Sequence, residues 1–232
     1  MGFLQINSRL RAMNPLNNEL LRFKTEQKFL IYDTETCHLN TVAKNYPWQV
    51  GFIVCTLNEI LESHCRYIYW DDMNNKISEQ AKKVTHFDYA KYAKEAKPQR
   101  EVLDFVESYL YDNQYVIAGH NTHAFDSYIL SLWRRENGLK RDYSYLPRAI
   151  DTNSLAKMVK LGVKEAPRKD WMTLMFRFSN FSQKGMKTNL TALGKEYGIG
   201  PDLINYDNLH DATEDVKLNY YVFKQLINRI DI

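Results

Sequence analysis

Phe29-Leu30-Ile31-Tyr32-Asp33-Thr34-Glu35 decides how the rest of the chain is read. The run over 28–33 is mostly apolar and does not alternate, as in a central strand buried on both faces. Two carboxylates close it. Residues two apart on a strand share a face, so Asp33 and Glu35 point the same way. They lie at the carboxyl end of that strand, where α/β sheets bind ligands. In a chain that is 25% charged, most Asp-x-Glu pairs are simply solvated; one that ends a buried strand is harder to set aside.

Working outward, Trp48–Leu57 and Ile60–Trp70 are rich in Val, Ile, Tyr and Phe, and Asn58-Glu59 between them reads as a tight turn. These two strands form a hairpin that joins the first. Val102, Leu103, Phe105, Val106, Tyr109 and Leu110 fall at helical spacing over 99–111. Tyr115–Ala118 reads as a short buried strand, and 124–137 as a helix with Phe125, Tyr128, Ile129, Leu132 and Trp133 inward. Arg148-Ala149-Ile150 suits a last strand, followed by a helix from Thr152 or Asn153. A further helix fits 189–197 with Gly198 as its stop, and a final one runs from about 212 to 230 with Val216, Tyr220, Phe223, Ile227 and Ile230 on one stripe. The order predicts an α/β fold: a mixed five-stranded sheet, made of a three-strand antiparallel meander plus two parallel strands, flanked by helices.

The 232 residues suit one large α/β domain over 28–232, preceded by an N-terminal arm, 1–27, in which Asn17 or Asn18 would cap a short helix through Glu19–Phe23. Thirty-one basic against 28 acidic residues give a net charge of only +3, so any nucleic-acid surface has to be local. The local candidate is a basic and aromatic insertion at about 163–187. Around it Lys157, Lys160, Lys164, Arg168, Lys169, Arg177, Lys184 and Lys187 face only Glu165 and Asp170, with Trp171, Phe176, Phe178 and Phe181 interleaved. It reads equally as a solvated surface insertion and as a flap that sets cations on phosphates and rings on bases. Cys37, Cys55 and Cys65 form no C-x-x-C pair, which points away from a disulfide framework or zinc site and towards a reducing, intracellular (cytoplasmic) compartment. No apolar run approaches a membrane span, and 1–28 lack the apolar core of a secretion signal.

Two more acidic segments matter. Asp126 closes Asn121-Thr122-His123-Ala124-Phe125-Asp126, in the first turns of a helix whose dipole favours a carboxylate. Asp215 follows His210 by five positions; Asp211 and Glu214 have the spacing of a capping box, which places His210 just before the helix and Asp215 within its first turns. Four acids converging on one cleft repel unless cations sit between them, which points to divalent metal ions and phosphoryl transfer. A fixed acid would hold metal while a loop imidazole, titrating near neutrality, approaches a water as general base.

Together these segments resemble the DEDD exonuclease superfamily, histidine subclass, which includes epsilon-type proofreading exonucleases, RNase T and oligoribonuclease. Asp33-Thr34-Glu35-Thr36 is similar to its first motif, Asn121–Asp126 to its second, and His210–Asp215 to its third. Pro47-Trp48-Gln49-Val50-Gly51-Phe52, Asp151-Thr152, Leu190-Thr191-Ala192-Leu193 and Tyr197-Gly198-Ile199 resemble supporting stretches, so the likeness covers about 28–230. Cys37-His38 stands where relatives often have Thr-Gly, and Gln49 where some carry an acid. The resemblance implies an RNase H-like fold and removal of nucleotides from a 3′ end. It implies that Asp33, Glu35, Asp126 and Asp215 bind two Mg²⁺ or Mn²⁺ ions, that His210 is the general base, that Thr34, Thr36 and Leu39 hold the terminal nucleotide, and that Asn121 and Phe125 orient the next. Lys184 and Lys187 are the candidate phosphate contacts of the insertion. Single-stranded DNA ends are the favoured substrate; an exoribonuclease is the runner-up and a catalytically silent end-binding module the third reading. A homodimer and a polymerase partner are both left open.

Overall fold

The computed structural model describes residues 23, 26–42, 44–166 and 170–230. The short helix expected over 19–23 falls almost wholly outside them. Strands β1 (Lys28–Thr36), β2 (Pro47–Cys55) and β3 (Ile60–Tyr69) form the antiparallel meander, its turn closed by Thr56 N–H donating to the Glu59 carbonyl at 2.9 Å. A strand of two residues, β4 (Lys97–Pro98), adds to β3 in parallel, and β5 (Tyr115–Gly119) and β6 (Ala149–Asp151) extend the other side. The sheet order is β4-β3-β2-β1-β5-β6. The sixth strand corrects the expected five. Two residues are too short to show any alternation, and Pro98, lacking an N–H, is tolerated at an edge.

The apolar run of β1 serves two cores at once. Phe29 and Ile31 face one cluster, and Leu30 and Tyr32 the other. The first cluster is covered by α6 (Thr152–Lys160) and α9 (Ala212–Ile227), with Phe29 edge-on to Phe223 at 5.2 Å; the predicted stripe Val216, Tyr220, Phe223, Ile227 and Ile230 is buried there. The second is covered by α4 (Gln99–Leu110) and α5 (Asp126–Glu136), through Val102, Leu103, Val106, Leu110, Leu130 and Trp133. Phe125 and Tyr128, expected inward, are only half-buried. Between β3 and α4 lie three short helices that sequence periodicity did not reveal, α1 (Met73–Lys76), α2 (Glu79–Val84) and α3 (Tyr89–Glu95). Each is below the length at which a 3.6-residue period can be recognised.

Part of the insertion is core. Helix α7 (Trp171–Ser179) buries Trp171 and Met175, and Trp171 Nε1 donates to the Ala149 carbonyl at 2.9 Å. Lys157 Nζ donates to the carbonyls of Phe178 and Ser179, at 3.0 and 3.1 Å, where the helix end carries partial negative charge. Lys160 pairs with Glu196 of α8 (Leu190–Glu196). Trp171 and Lys157 are therefore structural and are removed from the set of available rings and cations.

Gly51 of β2 lies directly under the start of α9. A Cβ there would sit 2.6 Å from both the carbonyl carbon and oxygen of Ala212, a backbone that cannot swing aside. We expect Gly51→Ala to cost roughly 1–3 kcal/mol, the range for overpacking, in urea unfolding, by lifting the helix that carries Asp215 off the sheet.

Candidate active site

The alternation that sends Phe29 and Ile31 towards α9 continues into Asp33 and Glu35. Glu35 is buried and Asp33 half-buried. The other parity carries Thr34, whose Oγ1 donates to Asp126 Oδ1 at 2.6 Å; Thr122 Oγ1 lies 3.5 Å from Asp126 Oδ2. Asp126 is 2% exposed at the start of α5. Asp215 lies in the first turn of α9, and its Oδ1 accepts the His210 N–H at 3.2 Å. The sheet end thus draws carboxylates from β1, α5 and α9 to one place.

One ligand atom each from Glu35, His210 and Asp215 lies within 4.8 Å of the other two. His210 is exposed in the left-handed region (φ 69°), with Nδ1 3.9 Å from Asp215 Oδ2. Asp33 and Asp126 stand outside that tight group but are coupled to it by charge. Burial, then Asp126, Asp215 and Asp211, pushes Asp33 well up. Burial, then Asp33, Asp215 and Asp126, does the same to Glu35. Burial lifts Asp126 to about 7 against the pull of the Thr34 hydroxyl, and Asp215 to about 6 against the His210 N–H and imidazole. Four buried or half-buried carboxylates beside one imidazole, with Asp33 and Glu35 raised further by the acids around them, fit hard divalent cations such as Mg²⁺ or Mn²⁺.

The other expected residues divide. Thr34 is in the cluster. Thr36 is not free: its hydroxyl donates to the His38 carbonyl at 2.6 Å inside a loop organised by Asn45. Leu39, in the same loop between His38 and Asn40, is 43% exposed. Asn121 is left-handed (φ 66°), and its carbonyl accepts the N–H groups of Ala124 and Phe125, so it shapes the turn before α5. Lys184 and Lys187 are exposed on the segment between α7 and α8. The capping box forms by half. Asp211 caps α9 by accepting the Thr213 N–H at 3.0 Å, but Glu214 turns to the Asn205 N–H and to Lys217.

Two supporting residues carry roles that residue type alone did not signal. Asp151, fully buried, accepts the N–H groups of Asn121 (3.2 Å), His123 (3.0 Å) and Ser154 (3.0 Å), and so fixes the turn that leads to Asp126. Gln49 is buried and hydrogen-bonds Asp211 and Ala212. Beside them, the exposed His86, left-handed at φ 51°, borders an open pocket that also meets Trp48, Tyr67, Lys91 and Asp211. Buried amides and carboxylates of this kind look like surface residues in a sequence.

No family model matches the chain, and no curated protein matches it by sequence. Solved structures do match. The chain folds like part of E. coli exonuclease I. Exonuclease I with zinc and single-stranded DNA superposes with a TM-score of 0.65 at 16% identity, over 88% of this chain and 41% of that one. Its complex with dT13 gives 0.64 at 17% identity over 88% and 42%, and its complex with dA16 gives 0.66 at 17% over 88% and 41%. The chain spans about two fifths of the length of exonuclease I. The shared fold is RNase H-like, with the antiparallel meander and parallel strands described above. Among the described residues no helix is long and apolar enough to cross a membrane, and Cys37, Cys55 and Cys65 are free thiols.

The pKa shifts set a sign. Asp126 is raised from the ordinary 3.8 to about 7. Between those values the unfolded chain is ionised while the folded one keeps the proton, so this group's contribution to stability falls as pH rises. In EDTA, Asp126→Asn is therefore expected to stabilise the protein progressively as pH is raised from 4 to 7, by at most about 1.4 kcal/mol per pH unit, and to level off above. A difference from wild type that is flat with pH in chemical denaturation would contradict this.

Proposed function

We propose that the protein is a metal-dependent 3′–5′ exonuclease that hydrolyses nucleotides from single-stranded DNA ends, with 28–232 as the catalytic domain and 1–27 as an accessory arm. The observation that carries this reading is the convergence of Glu35, His210 and Asp215 on one point, with Asp33 and Asp126 coupled to them by charge. The likeness to exonuclease I, whose solved complexes contain dT13 and dA16, supports DNA over RNA.

Asp33, Glu35, Asp126 and Asp215 would hold two Mg²⁺ or Mn²⁺ ions, which supply an activated water and charge stabilisation at the phosphate. His210 takes the proton of the attacking water; its exposure on a loop gives the imidazole access to solvent. Thr34 fixes the Asp126 carboxylate, and the His210 N–H fixes that of Asp215, so neither acid reorients during turnover. Leu39 offers an exposed apolar surface against the terminal base, with Thr36 shaping the loop beneath it. Phe125, half-buried at the head of α5, braces the next nucleotide. Lys184 and Lys187 contact backbone phosphates further along the strand.

Digestion of matched DNA and RNA oligonucleotides labelled away from the 3′ end, with Mn²⁺, tests the reading. A ladder of DNA products shortened from the 3′ end is expected; a ladder from RNA alone moves the substrate to RNA, and no shortening of either leaves an end-binding module. Asp33→Asn should abolish turnover while raising thermal stability in EDTA, because it removes a charge from a crowded cluster. His210→Ala should slow turnover by roughly 10²–10⁴-fold.

Neutralising Lys184 and Lys187 to Gln should weaken oligonucleotide binding and reduce the slope of log K against log salt by roughly 0.7 per lysine. An unchanged slope in fluorescence titrations would return the segment to a solvated surface.

A further inference from the structure

We infer that Gln49 is the positioning residue for His210, acting through a two-point amide clamp that needs one donor and one acceptor on the same side chain. The role of His210 rests on the nuclease reading above; the clamp rests on geometry alone. Gln49 is 1% exposed on β2, and its register partner is Glu35 of β1. Its Oε1 accepts the N–H of Ala212 at 3.2 Å. Its Nε2 donates to Asp211 Oδ2 at 3.0 Å and lies 3.3 Å from Cys65 Sγ. The Asp211 carboxylate is thereby divided: Oδ1 caps α9 through the Thr213 N–H, and Oδ2 ties the loop to the sheet.

The residue before this anchor is His210. A non-glycine residue at φ 69° is held against its own backbone preference and persists only where its surroundings over-determine it. Two restraints do so. Its own N–H is held by Asp215 Oδ1 on one side, and the next two residues are pinned by Gln49 on the other. With both in place the imidazole stays 3.9 Å from Asp215 and within reach of Glu35. Because Gln49 is the cross-strand neighbour of Glu35, the hydrogen-bonded register of β1 and β2 fixes His210 relative to the first acidic segment. Gln49 itself touches no reacting atom in this scheme; it acts through the loop.

The clamp has a polarity that can be reversed. In Gln49→Glu the new carboxylate still accepts from Ala212 but cannot donate to Asp211, and a buried carboxylate then meets the half-buried Asp211 carboxylate at hydrogen-bond distance, which is repulsive. In Asp211→Asn the new amide can face the Gln49 amide donor to donor. In the double variant the amide at 211 donates to the carboxylate at 49, and its oxygen still caps α9, since Asn is as good an N-cap as Asp.

The four proteins are compared on a single-stranded DNA oligonucleotide with Mn²⁺, together with amide hydrogen exchange over 210–213. Gln49→Glu is expected to lower kcat by about 10–100-fold, the scale of a misplaced catalytic group, with KM for the oligonucleotide within about twofold and with loss of protection at Ala212. The double variant is expected to regain most of the rate and the protection. A double variant as slow as Gln49→Glu overturns the clamp, and so does Gln49→Glu with wild-type kcat. If Gln49→Glu does not fold, the double variant decides: folded and active supports the clamp, inactive overturns it. If wild-type protein degrades no oligonucleotide, the nuclease reading falls and exchange alone judges the clamp. Protection lost in Gln49→Glu and restored in the double variant upholds it, and protection indifferent to Gln49→Glu overturns it.

Discussion

The burial and crowding of four carboxylates at one end of a stiff sheet is the constraint to which the rest of the structure answers. Asp33, Glu35, Asp126 and Asp215 are all raised above the ordinary carboxylate range, each first by burial. A flexible chain would relieve that by moving the acids apart. Here it cannot. Two of them sit on a strand hydrogen-bonded on both sides, and two sit in the first turns of helices whose apolar stripes are locked into separate cores. The double-sided burial of β1 is what makes the arrangement rigid: Phe29 and Ile31 hold α9 on one face while Leu30 and Tyr32 hold α5 on the other. The strand that bears the first two acids therefore also anchors the helices that bear the others.

Buried carboxylates in this protein are of two kinds, and their surroundings sort them. Burial pushes Asp151 up as it does Asp126, but the His123 imidazole 3.7 Å away and the N–H groups of Ser154 and His123 more than offset it, so Asp151 ends below its ordinary value. Asp126 has the Thr34 hydroxyl at 2.6 Å, the Thr122 hydroxyl at 3.5 Å and weaker help from the backbone of Thr34 and of Asp126 itself, with no imidazole beside it among the described residues, and burial leaves it at about 7. A carboxylate saturated with backbone donors is committed to structure; one left short of donors keeps lone pairs for something else. Asp151 spends its capacity on the turn that delivers Asp126, so the two belong to one device, the satisfied acid aiming the unsatisfied one.

The sequence made legible whatever rests on a local period. The central strand, the meander, the long helices and the shared face of Asp33 and Glu35 follow from alternation or 3.6-residue spacing, and the likeness of the three acidic segments to a known pattern set them in order. What escaped was short or non-local. Helices of four to seven residues between β3 and α4 carry too few turns to show a period. The two-residue strand β4 has no pattern at all. Capping-box spacing sends Glu214 back along its own helix, yet Lys217 and the Asn205 N–H outcompete that contact, and the choice depends on a loop nine residues away. Gln49 and Asp151 act on residues far from them in sequence, and nothing in an isolated amide or carboxylate indicates which backbone groups it will meet.

The basic insertion shows why charge in a sequence is not charge on a surface. A lysine with a long apolar stem can be drawn over a helix end and held there by two carbonyls, as Lys157 is, its ordinary pKa lowered by the burial this demands. That contact closes the carboxyl end of α7, which in turn lays Trp171 and Met175 into the core beside α6. His123, from the turn that Asp151 shapes, meets Phe176 of the same helix edge-on at 5.1 Å. Part of the insertion thus braces the back of the turn that carries Asp126, while Lys184 and Lys187, beyond α7, stay in solvent. The cations of this stretch divide by position: Lys157 and Lys160, on α6, hold the frame, and Lys184 and Lys187, past α7, keep their charge in solvent.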